Sequence, residues 1–136
     1  MIRIEVLGIL EHRDVALRAV SAACKLVPSS ATKDAGERFH FQVVSAVSEA
    51  FNNIVLHGYK GIETGIVMID IDVAYRSIKL SVSDWGAGFD PQDVPMPDLG
   101  ALPESGLGLF IIRSFVEVSY KKGSPNVLTM SKTLED

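Results

Sequence analysis

Three segments of the chain alternate apolar and polar residues with a period of two, which is the period of a β-strand. They are segments 2–9, 66–75 and 77–85, and the last two are rich in valine and isoleucine. Arg76 and Ser77 lie at the junction of the second and third segments. A junction this short predicts an antiparallel hairpin.

Two other segments carry apolar residues three or four positions apart, the spacing of a helix with one buried face. The first covers residues 14–27 and stops before Pro28, and the second covers residues 33–57. A glycine-rich stretch follows the second segment and predicts its end. The buried face of the second helix is predicted to contain Phe39, Val43, Ala46, Val47, Ala50 and Ile54.

The rest of the chain completes an α+β pattern. Residues 107–118 read as a helix that leads into a strand, and residues 126–134 as a final strand. Residues 85–106 are rich in proline and glycine and predict a long, functional loop. The order β-α-α-β-β-α-β-β indicates a two-layer α/β sandwich with helices on one face of a mixed, mostly antiparallel sheet. With 136 residues, of which 47% are apolar, residues 1–136 are expected to form a single domain.

Composition and charge exclude several classes of protein. Thirteen basic and seventeen acidic residues give a net charge of −4, which argues against direct nucleic-acid binding. No apolar run approaches the ~20 residues that span a bilayer, so we expect no membrane segment. Cys24 is the only cysteine, which excludes an internal disulfide and favours a cytoplasmic protein.

The second helix carries polar residues beside its apolar face. Ser45, Glu49 and Asn53 follow one another at intervals of four and share a face. This stripe is either solvated or directed at a ligand. In the second case the carboxylate of Glu49 could accept a proton, and the amide oxygen of Asn53 could bind Mg²⁺. The neighbouring Asn52 and His57 are expected to support other side chains.

Two pairs of glycines favour the ligand interpretation. Asp84 ends a strand and is followed by Gly86 and Gly88, whereas Gly106 and Gly108 stand at the start of the last helix. Glycine lets the backbone approach a ligand closely, and a helix start offers free N–H groups to phosphate. Neither pair matches the Rossmann fingerprint, and the phosphate-binding pattern GxxxxGK[ST] is absent.

Taken together, these residues resemble the sequence boxes of a known family. The three groups occur in order, as Glu49-x-x-x-Asn53, Asp84-x-Gly86-x-Gly88 and Gly106-x-Gly108. They are similar to the N, G1 and G2 boxes of the GHKL ATP-binding superfamily. The chain resembles most closely the branch of anti-sigma-factor serine-protein kinases, nearly throughout its length. The resemblance implies a Bergerat-like ATP-binding fold with ATP and Mg²⁺ as cofactors.

The resemblance also implies a role for each site residue. Glu49 would be the catalytic general base, Asn53 the Mg²⁺ ligand, and Asp84 the acceptor for the amino group of adenine. Gly86 and Gly88 would shape the adenine pocket. A lid over residues 91–105 would close on the nucleotide. The phosphates would be wrapped by Ser105, Gly106, Leu107, Gly108 and Leu109.

The same resemblance implies protein partners. The substrate would be a small anti-anti-sigma protein of the STAS type, phosphorylated on a serine. A sigma factor would be a second partner, which the chain would sequester. Homodimerisation is left open by the sequence.

One feature departs from that branch. Some of its kinases have an arginine just before the serine of the third box, where this chain has Glu104. Because no lysine or arginine lies between Trp85 and Gly108, this loop supplies no cation for the transferred phosphoryl group. Three functions are therefore compatible with the sequence: a Mg-ATP-dependent serine kinase, a nucleotide-dependent protein-binding switch without phosphotransfer, and a GHKL-type ATPase. The length of the chain favours the first two, because ATPase machines of this type need a transducer domain.

Overall fold

The computed structural model describes residues 1–27, 32–88 and 107–135, apart from the side chains of Leu107 and Leu109. The order of elements is the predicted one. It comprises β1 (Ile2–Leu7), α1 (Leu10–Cys24), α2 (Lys33–Asn53), a π-helical turn (Ile54–Gly58), β2 (Ile66–Ala74), β3 (Ser77–Asp84), α3 (Leu107–Phe115), β4 (Glu117–Lys121) and β5 (Asn126–Thr133).

The five strands form one sheet in the order β1-β2-β3-β5-β4, and the α+β sandwich is confirmed. The expectation of a mixed sheet is corrected, because all four pairings of the described strands are antiparallel. The reason lies in the long connection between β1 and β2. Its two helices run in opposite directions, since Arg13 of α1 contacts Asn52 of α2 and Ser21 contacts His40. The chain therefore returns to the end of β1 that it left, and β2 enters antiparallel.

The hydrophobic core lies between the sheet and the helices. The predicted hairpin of β2 and β3 is confirmed, and alternate residues of both strands point into this core, among them Val67, Ile69, Leu80 and Val82. All six residues that were predicted for the buried face of α2 are buried. The other face of the sheet is polar, and on it Arg3 pairs with Asp70 at 2.7 Å.

Helix boundaries differ from the prediction in three places. The first helix ends at Cys24, three residues before the predicted end. The first helix begins at Leu10, four residues before the predicted start, because its first turn is mostly polar and lacks the apolar spacing. The second helix reaches the predicted end region, but from Ile54 to Gly58 it is a π-helix, and Tyr59 N donates to Ile54 O at 3.0 Å. π-helical turns often occur at functional sites. This one directs the Gly58 carbonyl at Ala87 N, 2.8 Å away, and so joins α2 to the segment after β3.

Candidate functional site

Asp84 ends β3 and lies at the base of the site. Asp84 is 5% exposed, and its Oδ1 atom accepts hydrogen bonds from Gly86 N at 2.8 Å and Asn126 Nδ2 at 3.1 Å. The other carboxylate oxygen, Oδ2, accepts no hydrogen bond from the described residues. If Oδ2 were buried, it would be a buried polar atom without a partner, and the described residues contain no such atom. The Oδ2 atom therefore borders accessible space, where it can accept a hydrogen bond from a ligand.

Asn126 holds this carboxylate in place and was missed by the sequence analysis. It is 1% exposed and lies opposite Asp84 in the pairing of β3 with β5. Besides Asp84, its Nδ2 atom donates to Gly86 O at 3.0 Å, and its Oδ1 atom accepts from Gly123 N at 3.0 Å. No local pattern marks this asparagine, because its partner is distant in sequence and only strand pairing brings the two together.

Gly86 and Gly88 are required by contacts within the protein itself. A Cβ atom at Gly86 would collide with the backbone carbonyl of Gly58. Gly88 has a φ of +88°, which side chains rarely adopt, and a Cβ there would lie 3.0 Å from the Tyr120 hydroxyl. Both glycines therefore let the chain turn closely around Asp84, which is compatible with their predicted place beside a base.

Tyr59 is a second residue that the sequence analysis missed. Its buried hydroxyl donates to Ile66 O at 2.7 Å and accepts from Trp85 N at 3.0 Å. Burial raises the pKa of Tyr59 above its usual value, so the hydroxyl keeps the proton that it donates. Tyr59 thus ties the π-helical turn to β2 and to the end of β3. Trp85, whose backbone N–H donates to the Tyr59 hydroxyl, is itself 41% exposed.

Glu49 and Asn53 lie one turn apart on α2, and both are partly buried. A Cβ atom at Gly108 would lie 2.5 Å from Glu49 Oε2, so the start of α3 is packed directly on this carboxylate. Glu49 forms no hydrogen bond or ion pair with the described residues. The π-helical turn that follows Asn53 ends at Gly58, whose Cβ position is 3.6 Å from Asp84 Oδ1. One continuous wall therefore connects Glu49, Asn53 and Asp84.

Comparison with known proteins assigns this architecture to a family. The sequence model of one protein family, described as the histidine kinase-like ATPase domain, matches residues 10–132 of this chain. The chain belongs to the histidine kinase-like ATPase domain family. The matched range contains α1, α2, β2, β3 and α3, and therefore every described residue of the wall.

Individual relatives of this ATPase domain agree with the family. The anti-sigma F factor of Clostridium beijerinckii is 31% identical over 97 residues, which cover 66% of this chain and 68% of that protein. The anti-sigma F factor of Bacillus cytotoxicus is 34% identical over 80 residues, which cover 56% of this chain and 55% of that protein. The blue-light activated histidine kinase of Erythrobacter litoralis EL346 has the same fold, with a TM-score of 0.60 at 20% identity over 88% of this chain and 41% of that chain.

The structure of the ATPase domain brings together most of the predicted site residues. Glu49 and Gly108 meet where α2 contacts α3, Asn53 lies one turn further along α2, and Asp84 lies at the far end of the π-helical turn with its two glycines. Ser105 and Gly106 lie outside the described residues, as do the predicted lid and Glu104. Leu107 and Leu109 are placed in α3 by their backbone alone.

Metal binding at this wall would depend on few protein ligands. Within residues 1–27, 32–88 and 107–135, no group of three or more His, Cys, Asp or Glu side chains is placed to hold a metal ion. The amide oxygen of Asn53 is a hard ligand and suits Mg²⁺, which usually takes one or two protein ligands and completes its shell with phosphate oxygens and water. Separately, none of the helices in the described part of the chain is long and apolar enough to cross a bilayer.

Proposed function

We propose that this chain binds Mg-ATP and transfers the γ-phosphoryl group to a serine of an anti-anti-sigma protein. The observation that carries the proposal is the junction of α2 and α3, where the Glu49 carboxylate contacts the start of α3 at Gly108 and Asn53 lies one turn away on the same helix. The fold and family support ATP binding. The names of the two relatives, both anti-sigma F factors, support the regulatory role.

Asp84 would bind the adenine. Its Oδ1 atom is held by two donors within the protein, which leaves Oδ2 to accept a hydrogen bond from the amino group of the base. A carboxylate that accepts hydrogen bonds favours a base edge with a donor over one with an acceptor. Gly86 and Gly88 keep side chains away from this edge.

The start of α3 would bind the phosphates. The first N–H groups of a helix have no partner within the helix, and the helix dipole favours an anion at that end. The proposed binding segment extends from the residues before the helix into its first turn and comprises Ser105, Gly106, Leu107, Gly108 and Leu109. Asn53 would hold Mg²⁺ through its amide oxygen. When bound, Mg-ATP supplies the phosphorus that is attacked and the ADP that leaves.

Glu49 would act as the general base. Its carboxylate would take the proton of the serine hydroxyl while the serine oxygen bonds to the γ-phosphorus and the bond from that phosphorus to the bridging oxygen of ADP breaks. Because Glu49 has no hydrogen-bond donor or cation as partner among the described residues, its lone pairs are available for this proton. Its contact with α3 places it next to the proposed phosphate site.

We further propose that the chain acts as one domain in the cytoplasm and sequesters a sigma factor. The shared hydrophobic core of the described helices and strands supports a single domain, and the lone Cys24 suits a reducing compartment. A nucleotide-dependent switch without phosphotransfer is the second candidate. The specific observation in its favour is the lack of any lysine or arginine between Trp85 and Gly108.

Glu49→Gln separates these two candidates. The substitution keeps the size of the side chain but removes the base, so we expect Mg-ATP affinity to stay within about twofold while transfer falls by about 10²–10⁴-fold. Affinity is measured by calorimetry, and transfer by incubation with radiolabelled ATP and an anti-anti-sigma protein of the STAS type. Binding of ATP by the wild type without any labelled partner would favour the switch and reject the kinase.

A further inference from the structure

A cavity of about 490 Å³ opens between the three helices and reaches Glu49. Its apolar lining comes from all three helices: Leu17 of α1, Phe41 and Val44 of α2, and Ile111 and Phe115 of α3. Phe41 is 61% exposed although its ring lies 5.8 Å from the ring of Phe115. Apolar surface that is concave and open to solvent is typical of a binding groove. We call this cavity the helix groove.

The helix groove leads to the proposed base rather than away from it. Ser45, Ser48 and Glu49 line the groove along α2, so its polar end coincides with the carboxylate. The start of α3 contacts the same carboxylate at Gly108. The base thus lies between the proposed phosphate site and the helix groove. A hydroxyl that enters from the groove would meet the base on its way to the phosphate.

A cation lies beyond Glu49 at the same end. Arg13 is partly buried on α1 and donates from Nη1 to Asn52 Oδ1 at 2.6 Å. Both partners lie next to residues that line the helix groove. Asn52 is three positions after Glu49 on α2, and Arg13 is four positions before Leu17 on α1. In the described part of the chain Arg13 forms no salt bridge, whereas Arg18 on the same helix pairs with Asp14. Arg13 therefore carries a fixed charge that a carboxylate of a partner can neutralise.

From these observations we propose that the helix groove binds an extended segment of the protein substrate around its phosphorylated hydroxyl. The segment carries an apolar side chain that fills the groove and, on the other side of the hydroxyl, an acidic residue that pairs with Arg13. This proposal rests on the kinase function proposed above. It adds the sequence that the acceptor segment should have.

The dimensions of α2 set the spacing within this segment. From Phe41 to Glu49 the helix axis advances about 12 Å, at about 1.5 Å per residue. An extended chain advances about 3.3 Å per residue, so the apolar residue lies about four positions from the acceptor serine. From Glu49 to Asn52 the advance is about 4.5 Å, which places the acidic residue one or two positions on the other side.

Synthetic peptides test the proposal on the full chain. Two serine peptides, one in each chain direction, carry leucine four positions from the serine and glutamate two positions on its other side. Matched peptides replace leucine by asparagine or glutamate by glutamine. With radiolabelled ATP, we expect either replacement to lower kcat/KM of the wild type about tenfold or more in one of the two directions. Phe41→Ser should abolish the preference for leucine, and Arg13→Gln the preference for glutamate, with Mg-ATP affinity unchanged.

A matched variant controls for the loss of an exposed aromatic ring. Tyr75 is 69% exposed in the turn between β2 and β3, and Tyr75→Ser should keep both preferences. Equal rates on all peptides, or an unchanged preference in Phe41→Ser, would overturn the proposal. Labelling of the whole anti-anti-sigma protein without any peptide would also overturn it and leave the kinase intact. Binding of Mg-ATP without labelling of either would instead remove the kinase function, and the groove proposal with it.

Discussion

Replacement of Asn126 by alanine is expected to destabilise the fold and to weaken nucleotide binding. The side chain makes three hydrogen bonds, to Asp84 Oδ1 at 3.1 Å, to Gly86 O at 3.0 Å and from Gly123 N at 3.0 Å. A neutral hydrogen bond contributes about 1 kcal/mol net and one to a charged group about 1.5–3 kcal/mol. Because the site is buried, the free energy of unfolding should fall by about 3.5–5 kcal/mol. Mg-ATP affinity should fall about tenfold, since Asp84 loses one of the two donors that orient it.

Urea denaturation measures the first effect, and Trp85 is a convenient fluorophore because it is the only tryptophan and adjoins Asp84. Thr129→Ala is the matched control: Thr129 lies on β5 but points to the other face of the sheet. Calorimetry at a temperature where both variants are folded measures the second effect. One result would contradict this prediction: the free energies of unfolding of Asn126→Ala and Thr129→Ala differ by less than about 0.5 kcal/mol, and Asn126→Ala binds Mg-ATP like the wild type. The hydrogen bonds of Asn126 would then not hold the Asp84 carboxylate in place.

Two further substitutions test other parts of the structure. Gly86→Ala should lower the free energy of unfolding by more than about 2 kcal/mol, because the new Cβ meets the Gly58 carbonyl of the π-helical turn. Gly36→Ala on α2 places its Cβ in open space and should instead raise the free energy of unfolding by about 0.5–1 kcal/mol. Thermal unfolding compares the two, and equal effects would contradict the packing argument. Burial raises the pKa of Cys24 from 9.0 to about 11, so the folded state keeps this proton longer than the unfolded state. Stability that is present below pH 9.0 should therefore fall as the pH rises towards 11, and urea midpoints at pH 8 and 10.5 should show a smaller fall for Cys24→Ala than for the wild type.

The order of the elements and the candidate chemistry of this protein follow from local patterns along the chain. Periods of two and of three to four placed three strands and two helices, because each period reports which side chains one element buries, and the last helix and two strands were also predicted in the right order. The spacing of Glu49 and Asn53 placed them on one face of α2 for the same reason. Such properties depend only on neighbours along the chain.

How distant segments meet depends instead on the three-dimensional packing of the chain. Strand pairing brings Asn126 to Asp84, and helix packing brings Gly108 to Glu49 and Arg13 to Asn52. The antiparallel entry of β2, which makes the described sheet wholly antiparallel, follows from the opposed directions of α1 and α2. The π-helical turn likewise depends on contacts of Gly58 and Tyr59 with the end of β3. None of these contacts leaves a periodic trace, because hydrogen bonds between residues far apart in sequence are fixed by packing and not by local spacing.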